Sequence, residues 1–188
     1  MNAQKITIRP ACYEDAPTIA QAAAMAIGDE AVLQAYCGDN YLETMAEIAR
    51  ANNTQYSWRN AWIAEVEGVA AGAVIGYDGA RLAQLREGTF SVLRRLTGRV
   101  PELPDETQAG EYYLDSLGVL PQFRGLGVGR ELVSAFCRQA FAKGYPRVGL
   151  LVDEQNPKAA ALYTDLGFQR VGTLLFFDHS MWHMQRIP

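Results

Sequence analysis

Apolar and polar residues alternate over Ile6-Thr7-Ile8-Arg9, which predicts a half-buried first strand that Pro10 ends. Helix-breaking residues are few over Ala16–Ile27, Pro17 stands where a first helical turn tolerates it, and Gly28 offers a stop, so a helix follows. Residues 30–51 predict further helix, interrupted around Cys37-Gly38-Asp39. Residues 61–66 and 69–77 carry apolar alternation on both arms and meet at Glu67-Gly68, the pattern of a hairpin. Helical spacing returns over 81–96 through Leu82, Leu85, Phe90, Leu93 and Leu96, with a break expected near Gly88. A loop containing proline, glycine and acidic residues runs over 97–110, so the stretch 79–110 reads as an inserted flap or subunit contact.

The second half has a clearer rhythm of strand, glycine loop, helix, strand, helix, strand. Residues 111–120 predict a strand rich in Tyr and Leu, and Pro121 opens a glycine-rich turn into a helix over 126–142. The buried stripe of that helix is expected along Val128, Leu132, Ala135, Phe136 and Gln139-Ala140, with Lys143-Gly144 closing it. Residues 148–152 predict a buried strand. Asn156-Pro157 caps a helix over 158–166, Gly167 stops it, and strands over 168–177 and 181–187 finish the chain. No internal repeat or low-complexity tract interrupts this order.

One domain is expected over residues 1–188, because that length suits a single core and 49% of the residues are hydrophobic against 20% charged. No stretch of ~18 uninterrupted apolar residues occurs, and Met1 to Pro10 holds no apolar export segment, which points to a cytoplasmic protein without a membrane span. Cys12, Cys37 and Cys137 are odd in number and far apart, which argues against a disulfide framework or a zinc site. A net charge of -4 opposes general binding to nucleic acid. Local charge is more telling. Residues 121–147 hold Arg124, Arg130, Arg138, Lys143 and Arg147 against Glu131 alone, whereas 101–116 hold Glu102, Asp105, Glu106, Glu111 and Asp115 without a base. An anionic ligand and a cationic one each find a home.

Arg124-Gly125-Leu126-Gly127-Val128-Gly129 lies between a strand and a helix, where successive backbone N–H groups and the helix dipole favour a phosphate. Arg124 and Arg130 flank it with further positive charge. A Walker A loop would need Gly-Lys-Ser/Thr, which is absent. A dinucleotide fingerprint would need Gly or Ala where Arg130 or Leu132 stands, although Asp153 after the next strand keeps a nicotinamide enzyme open as an alternative.

These residues resemble the GNAT superfamily of acyl-CoA-dependent N-acyltransferases, whose signature is Arg/Gln-x-x-Gly-x-Gly/Ala at a strand-to-helix turn: Arg124, Gly127 and Gly129 fill it. Asn156, Ala160, Leu162, Tyr163, Leu166, Gly167 and Phe168 are similar to the family's second half-motif, and Ile8-Arg9-Pro10-Ala11 with Glu14-Asp15-Ala16 to its opening. The resemblance implies an α/β fold with a mixed, mostly antiparallel central sheet flanked by helices. The stretch 79–110 is longer than the usual link between the family's third and fourth strands.

The resemblance also implies acetyl-CoA as cosubstrate and a primary amine of a small molecule or peptide as acceptor, in a ternary complex. The fourth strand is then expected to part near Leu117-Gly118-Val119, its backbone holding the pantetheine, while Arg124, Gly125, Leu126, Gly127, Val128, Gly129 and Arg130 hold phosphate. Tyr163 corresponds to the family's acid for the departing sulfur, and Asn156 both caps its helix and contacts the CoA chain. An alkylamine of pKa ~10.4 must lose a proton before it attacks, so a base is needed. Asp115 and Glu111 are the candidates, four apart on one strand face with Tyr113 between them. Where some relatives carry a glutamate on the fifth strand, this chain has Leu151. The acidic stretch suggests a cationic acceptor met by Asp105 and Glu106. His179 and His183 lie four apart on an expected strand with no completing ligands, so no metal is expected. A non-catalytic CoA-binding regulator is a further alternative, and a homodimer is expected on general frequency.

Overall fold

The computed structural model describes residues 5–176 and 179–188; Phe177, the last residue of the expected strand 168–177, lies outside them. In chain order the elements are β1 (Ile6–Pro10), α1 (Ala16–Ile27), α2 (Glu30–Cys37), α3 (Tyr41–Arg50), β2 (Ala61–Val66), β3 (Val69–Asp78) and α4 (Leu82–Thr97). There follow β4 (Tyr112–Val119), α5 (Val128–Ala142), β5 (Val148–Asp153), α6 (Pro157–Asp165), β6 (Gln169–Phe176) and β7 (His179–Arg186). The seven strands form one sheet in the order β1-β2-β3-β4-β5-β7-β6, antiparallel everywhere except between β4 and β5.

Each face of the sheet is covered. On one face Ile19, Met45 and Ile48 from α1 and α3 pack on Ile63, Ala73 and Ile75, all fully buried. On the other, Leu132, Val133 and Phe136 of α5 pack on Val74, Leu114 and Leu150. Large side chains buried like these contribute about 1.5–3 kcal/mol each, and they anchor the sheet that positions the cleft described below. Among the described residues no helix is long and apolar enough to cross a membrane.

The seam between β4 and β5 is short. They pair only at Tyr112↔Val148, Tyr113↔Gly149 and Leu114↔Leu150, while β4 continues against β3 as far as Val119↔Gly72. The parting begins at a bulge: Leu114 opposes Gly76 and Ser116 opposes Ile75, so Asp115 is the extra residue.

Three expectations are corrected. Helix α4 runs through Gly88 without a break, because this glycine serves packing: a Cβ there would collide with the Asn53 carbonyl where the chain after α3 crosses the helix. Helix α5 starts at Val128, not 126, since Gly127 at φ 86° stands outside the helical region. Gln139 is exposed and the buried stripe passes through Ala140 alone at that turn.

Candidate active site

Where β4 and β5 part, a cleft of about 320 Å³ opens. Its walls are Asp115 and Leu117 of β4, Leu151 and Val152 of β5, and Asn156, Leu162 and Tyr163 of α6. Met25 and Ile27 at the end of α1, Tyr36 of α2, and Gln55 and Tyr56 cover it, and the segment after α4 adds Leu103 and Glu106.

The glycine loop lies at the head of α5. Gly125 and Gly127 have φ of 79° and 86°, and a Cβ on either would meet nothing within 4 Å, so the ground beside them is open and the glycines serve backbone conformation. The first intrahelical bond is Glu131 N–H to the Gly127 carbonyl, which leaves the amides from Gly125 to Arg130 without a backbone acceptor among the described residues. Such a run of amides at the positive end of a 15-residue helix is chemically fit to hold a diphosphate. Leu126 is exposed there, whereas Val128 is buried in the core and offers only its backbone. Arg124 lies across the end of β4, its Nε donating to the Val119 carbonyl at 3.2 Å, and Arg130 pairs with Asp165 at 3.1 Å on the surface.

Gly118 gains a different reason from the expected ligand approach. A Cβ there would strike the backbone of Ala22, so the glycine lets α1 pack on β4, while Leu117, its neighbour, faces the cleft. The Asn156 side chain caps α6 by accepting from the Ala159 amide at 3.1 Å, and the residue lines the cleft as well. Tyr163 is buried at the cleft wall against the edge of Phe168, and burial pushes its hydroxyl up to about 12, so it stays protonated at neutral pH.

The two base candidates separate. Asp115 faces the cleft, with Oδ2 accepting from the Tyr77 hydroxyl at 2.8 Å and Oδ1 from the Ser116 hydroxyl at 2.9 Å. Burial raises its carboxyl above the ordinary range, more than these hydrogen bonds lower it. Glu111, by contrast, is withdrawn from the cleft. It precedes β4, takes hydrogen bonds from Thr107 at 2.6 Å, His183 at 2.9 Å and Gln185 at 2.7 Å, and fills the space left by Gly149. Burial would raise it, but those three donors outweigh burial and hold it below its ordinary value, a structural ion that ties the inserted segment to β7.

Glu106 enters the cleft from the inserted segment, held by Arg86 of α4 and by the Gln55 amide at 2.9 Å. Burial, then the charge of Asp115, pushes its carboxyl up to about 7, with Arg86 pulling the other way. Asp105 is turned out, binding Arg86 at 2.7 Å with its side chain largely in solvent, and lines no part of the cleft. Asp153 pairs with His179 at 2.6 Å at the cleft rim, and the mostly antiparallel sheet is not a dinucleotide fold, so no ribose-binding role remains for it. Tyr77, Gln55 and Tyr36 are cleft or near-cleft residues that no motif singles out; the acidic run was the one sequence signal for Glu106.

The sequence matches the Acetyltransferase (GNAT) family over residues 30–168. The chain belongs to this family. A mycothiol acetyltransferase of Gordonia bronchialis is 32% identical over 152 residues, covering 77% of this chain and 45% of that relative. The chain spans less than half the length of the mycothiol acetyltransferases it matches. A solved acetyltransferase, 30% identical, superimposes with a TM-score of 0.81 over 96% of this chain and 98% of its own. An N-acetyltransferase from Staphylococcus aureus Mu50, 23% identical, shares the fold with a TM-score of 0.82 over 95% of this chain and 99% of its own. The segment between β3 and β4 supplies Glu106 to the cleft and, through Arg86 of α4, the frame that holds it.

Proposed function

We propose that this GNAT protein transfers an acetyl group from acetyl-CoA to a primary amine, with both substrates held together in the cleft. The observation that carries the reading is the parting of β4 from β5 at the Asp115 bulge, which lays an unpaired strand edge, Tyr163 and Asp115 along one opening, with Gly129 of the glycine loop beside Leu117 and Leu162 of its wall.

The amides of Gly125 to Arg130, with Arg124 and Arg130 nearby, are suited to the diphosphate of the cosubstrate. The edge of β4 over Leu117, Gly118 and Val119, left without a strand partner on the β5 side, offers backbone groups to the pantetheine and to the thioester carbonyl. Asn156 is placed to add a side-chain contact. Asp115 takes the proton of the ammonium, and the neutral amine attacks the carbonyl carbon as the C–S bond breaks. Tyr163, still a phenol at neutral pH, donates toward the departing sulfur; a thiol of pKa ~8.5 is already a fair leaving group, so the tyrosine assists the step rather than deciding it. Glu111 has no part in this chemistry. The carboxyls of Asp115 and Glu106 favour an acceptor that arrives as a cation.

Thermal melting with acetyl-CoA, free CoA, NAD and ATP in parallel tests the reading, since ligand at ~100 times Kd adds about 2.7 kcal/mol to the folded state. Melting points rise with the CoA compounds alone, and Gly127→Glu removes the rise; turnover over an amine panel then distinguishes a transferase from a regulator that only binds. A rise with NAD or ATP but not CoA overturns the assignment.

A further inference from the structure

Two carboxyls that line one cleft, Glu106 buried and Asp115 partly buried, are linked by a single hydroxyl. The Tyr77 oxygen lies 2.8 Å from Oδ2 of Asp115 and 3.3 Å from Oε1 of Glu106. A phenol has one proton, so it can donate to only one of them at a time. The Gln55 amide nitrogen sits over the junction, donating to Glu106 Oε1 at 2.9 Å and to the Tyr77 oxygen at 3.2 Å. That geometry fixes the Tyr77 ring and occupies its oxygen as an acceptor. The second oxygen of Glu106 pairs with Arg86, which is itself tied to Asp105 and to the Leu103 and Pro104 carbonyls. Tyr36 of α2, and Tyr56 and Tyr113, are the other titratable groups packed near the pair, and each is a buried phenol that burial keeps neutral.

We infer that Glu106, contributed by the segment between α4 and β4, forms one proton-holding unit with Asp115 through the Tyr77 hydroxyl, and that the proton taken from the acceptor leaves Asp115 by this route. The inference rests on the transferase reading above. In the step, the O–H bond on Asp115 breaks as its proton joins the Tyr77 oxygen, and the phenolic O–H breaks as its proton joins Glu106. Two O–H bonds break and two form; Asp115 is again a carboxylate, Glu106 is a carboxylic acid, and Tyr77 is unchanged. No ion forms on the ring, which suits a phenol whose ionisation burial strongly opposes. The two carboxyls are placed differently: Asp115 faces the cleft, while Glu106, its side chain 6% exposed, is held behind it by Arg86 and the Gln55 amide. A carboxyl already poised at about 7 accepts a proton there without a large cost.

The test compares two acceptors of one shape and different basicity: an alkylamine, and the same amine with fluorines on its β carbon, which is already neutral at pH 7 and so needs no proton removed before it attacks. Tyr77→Phe keeps the ring that packs on Tyr113 and removes only the bridge; Glu106→Gln keeps the shape and removes the proton acceptor. Thermal melting checks that both variants fold. The expected result is that each variant loses roughly 10²-fold in kcat with the alkylamine, Glu106→Gln also raising that acceptor's KM and Tyr77→Phe leaving it similar, while kcat with the fluorinated amine stays within about threefold. Equal losses with both acceptors, or none with either, overturn the relay while leaving the transferase reading standing. A wild-type protein that binds acetyl-CoA but acylates neither amine overturns both.

Discussion

In the proposed reaction the cosubstrate end and the acceptor end of the site hold their substrates by different means. At the head of α5 the work falls to backbone amides in a loop of a few consecutive residues, with no side chain buried for the purpose. At the acceptor end it falls to side chains drawn from the turn before β2, β3, the inserted segment and β4, joined to one another by hydrogen bonds. The first kind of site tolerates change around it, because a turn and a helix N-terminus suffice to make it. The second is a network in which losing one partner leaves another buried and unsatisfied.

Asp115→Asn gives the largest separation of the two ends. It is expected to lower kcat by roughly 10²–10⁴-fold while the thermal shift with acetyl-CoA persists, and a lost shift means that the ends are not independent. Next in size, Glu111→Ala costs roughly 3 kcal/mol at neutral pH in urea melts, since Thr107, His183 and Gln185 lose their shared acceptor. The pH dependence separates it from Glu106. The Glu111 carboxyl is held below its ordinary value, so its contribution is present above pH ~4.3 and fades as pH falls. The Glu106 carboxyl is raised to about 7, so its burial weakens folding progressively as pH climbs from ~4.3 through that value. Melts at pH 5 and pH 8 show this as a slope that Glu106→Gln flattens and Glu111→Ala does not. The smallest effect is Arg130→Ala, an exposed side chain shared with Asp165, which is expected to weaken acetyl-CoA by a few-fold, about 0.5–1 kcal/mol, in a titration.

Legibility in the sequence follows the same division. The glycine loop, the Asn-Pro cap and the helices α1, α2 and α3 are local, so composition and spacing within a dozen residues declare them. The acceptor end joins positions 36, 55, 77, 106 and 115, which share no period and no motif. Strand alternation groups Glu111 with Asp115, yet only the three-dimensional neighbours reveal that one is bound to β7 and the other open to the cleft. Likewise Gly118 and Gly88 read as a ligand approach and a helix break, because a sequence does not show which backbone will cross at that point.

Gly88 has one more consequence. The chain that passes over it at Asn53 continues through Thr54 to Gln55, whose own amide donates to Thr89 on the same helix at 3.2 Å and whose side chain steadies Glu106. A residue with no chemistry of its own thus governs how closely α4 and that crossing chain approach. As descendants of this sequence drift toward new acceptors, they are free to vary the cleft lining at Leu103 or Tyr56, whereas any side chain acquired at position 88 would push the crossing away and unseat the acid beneath it.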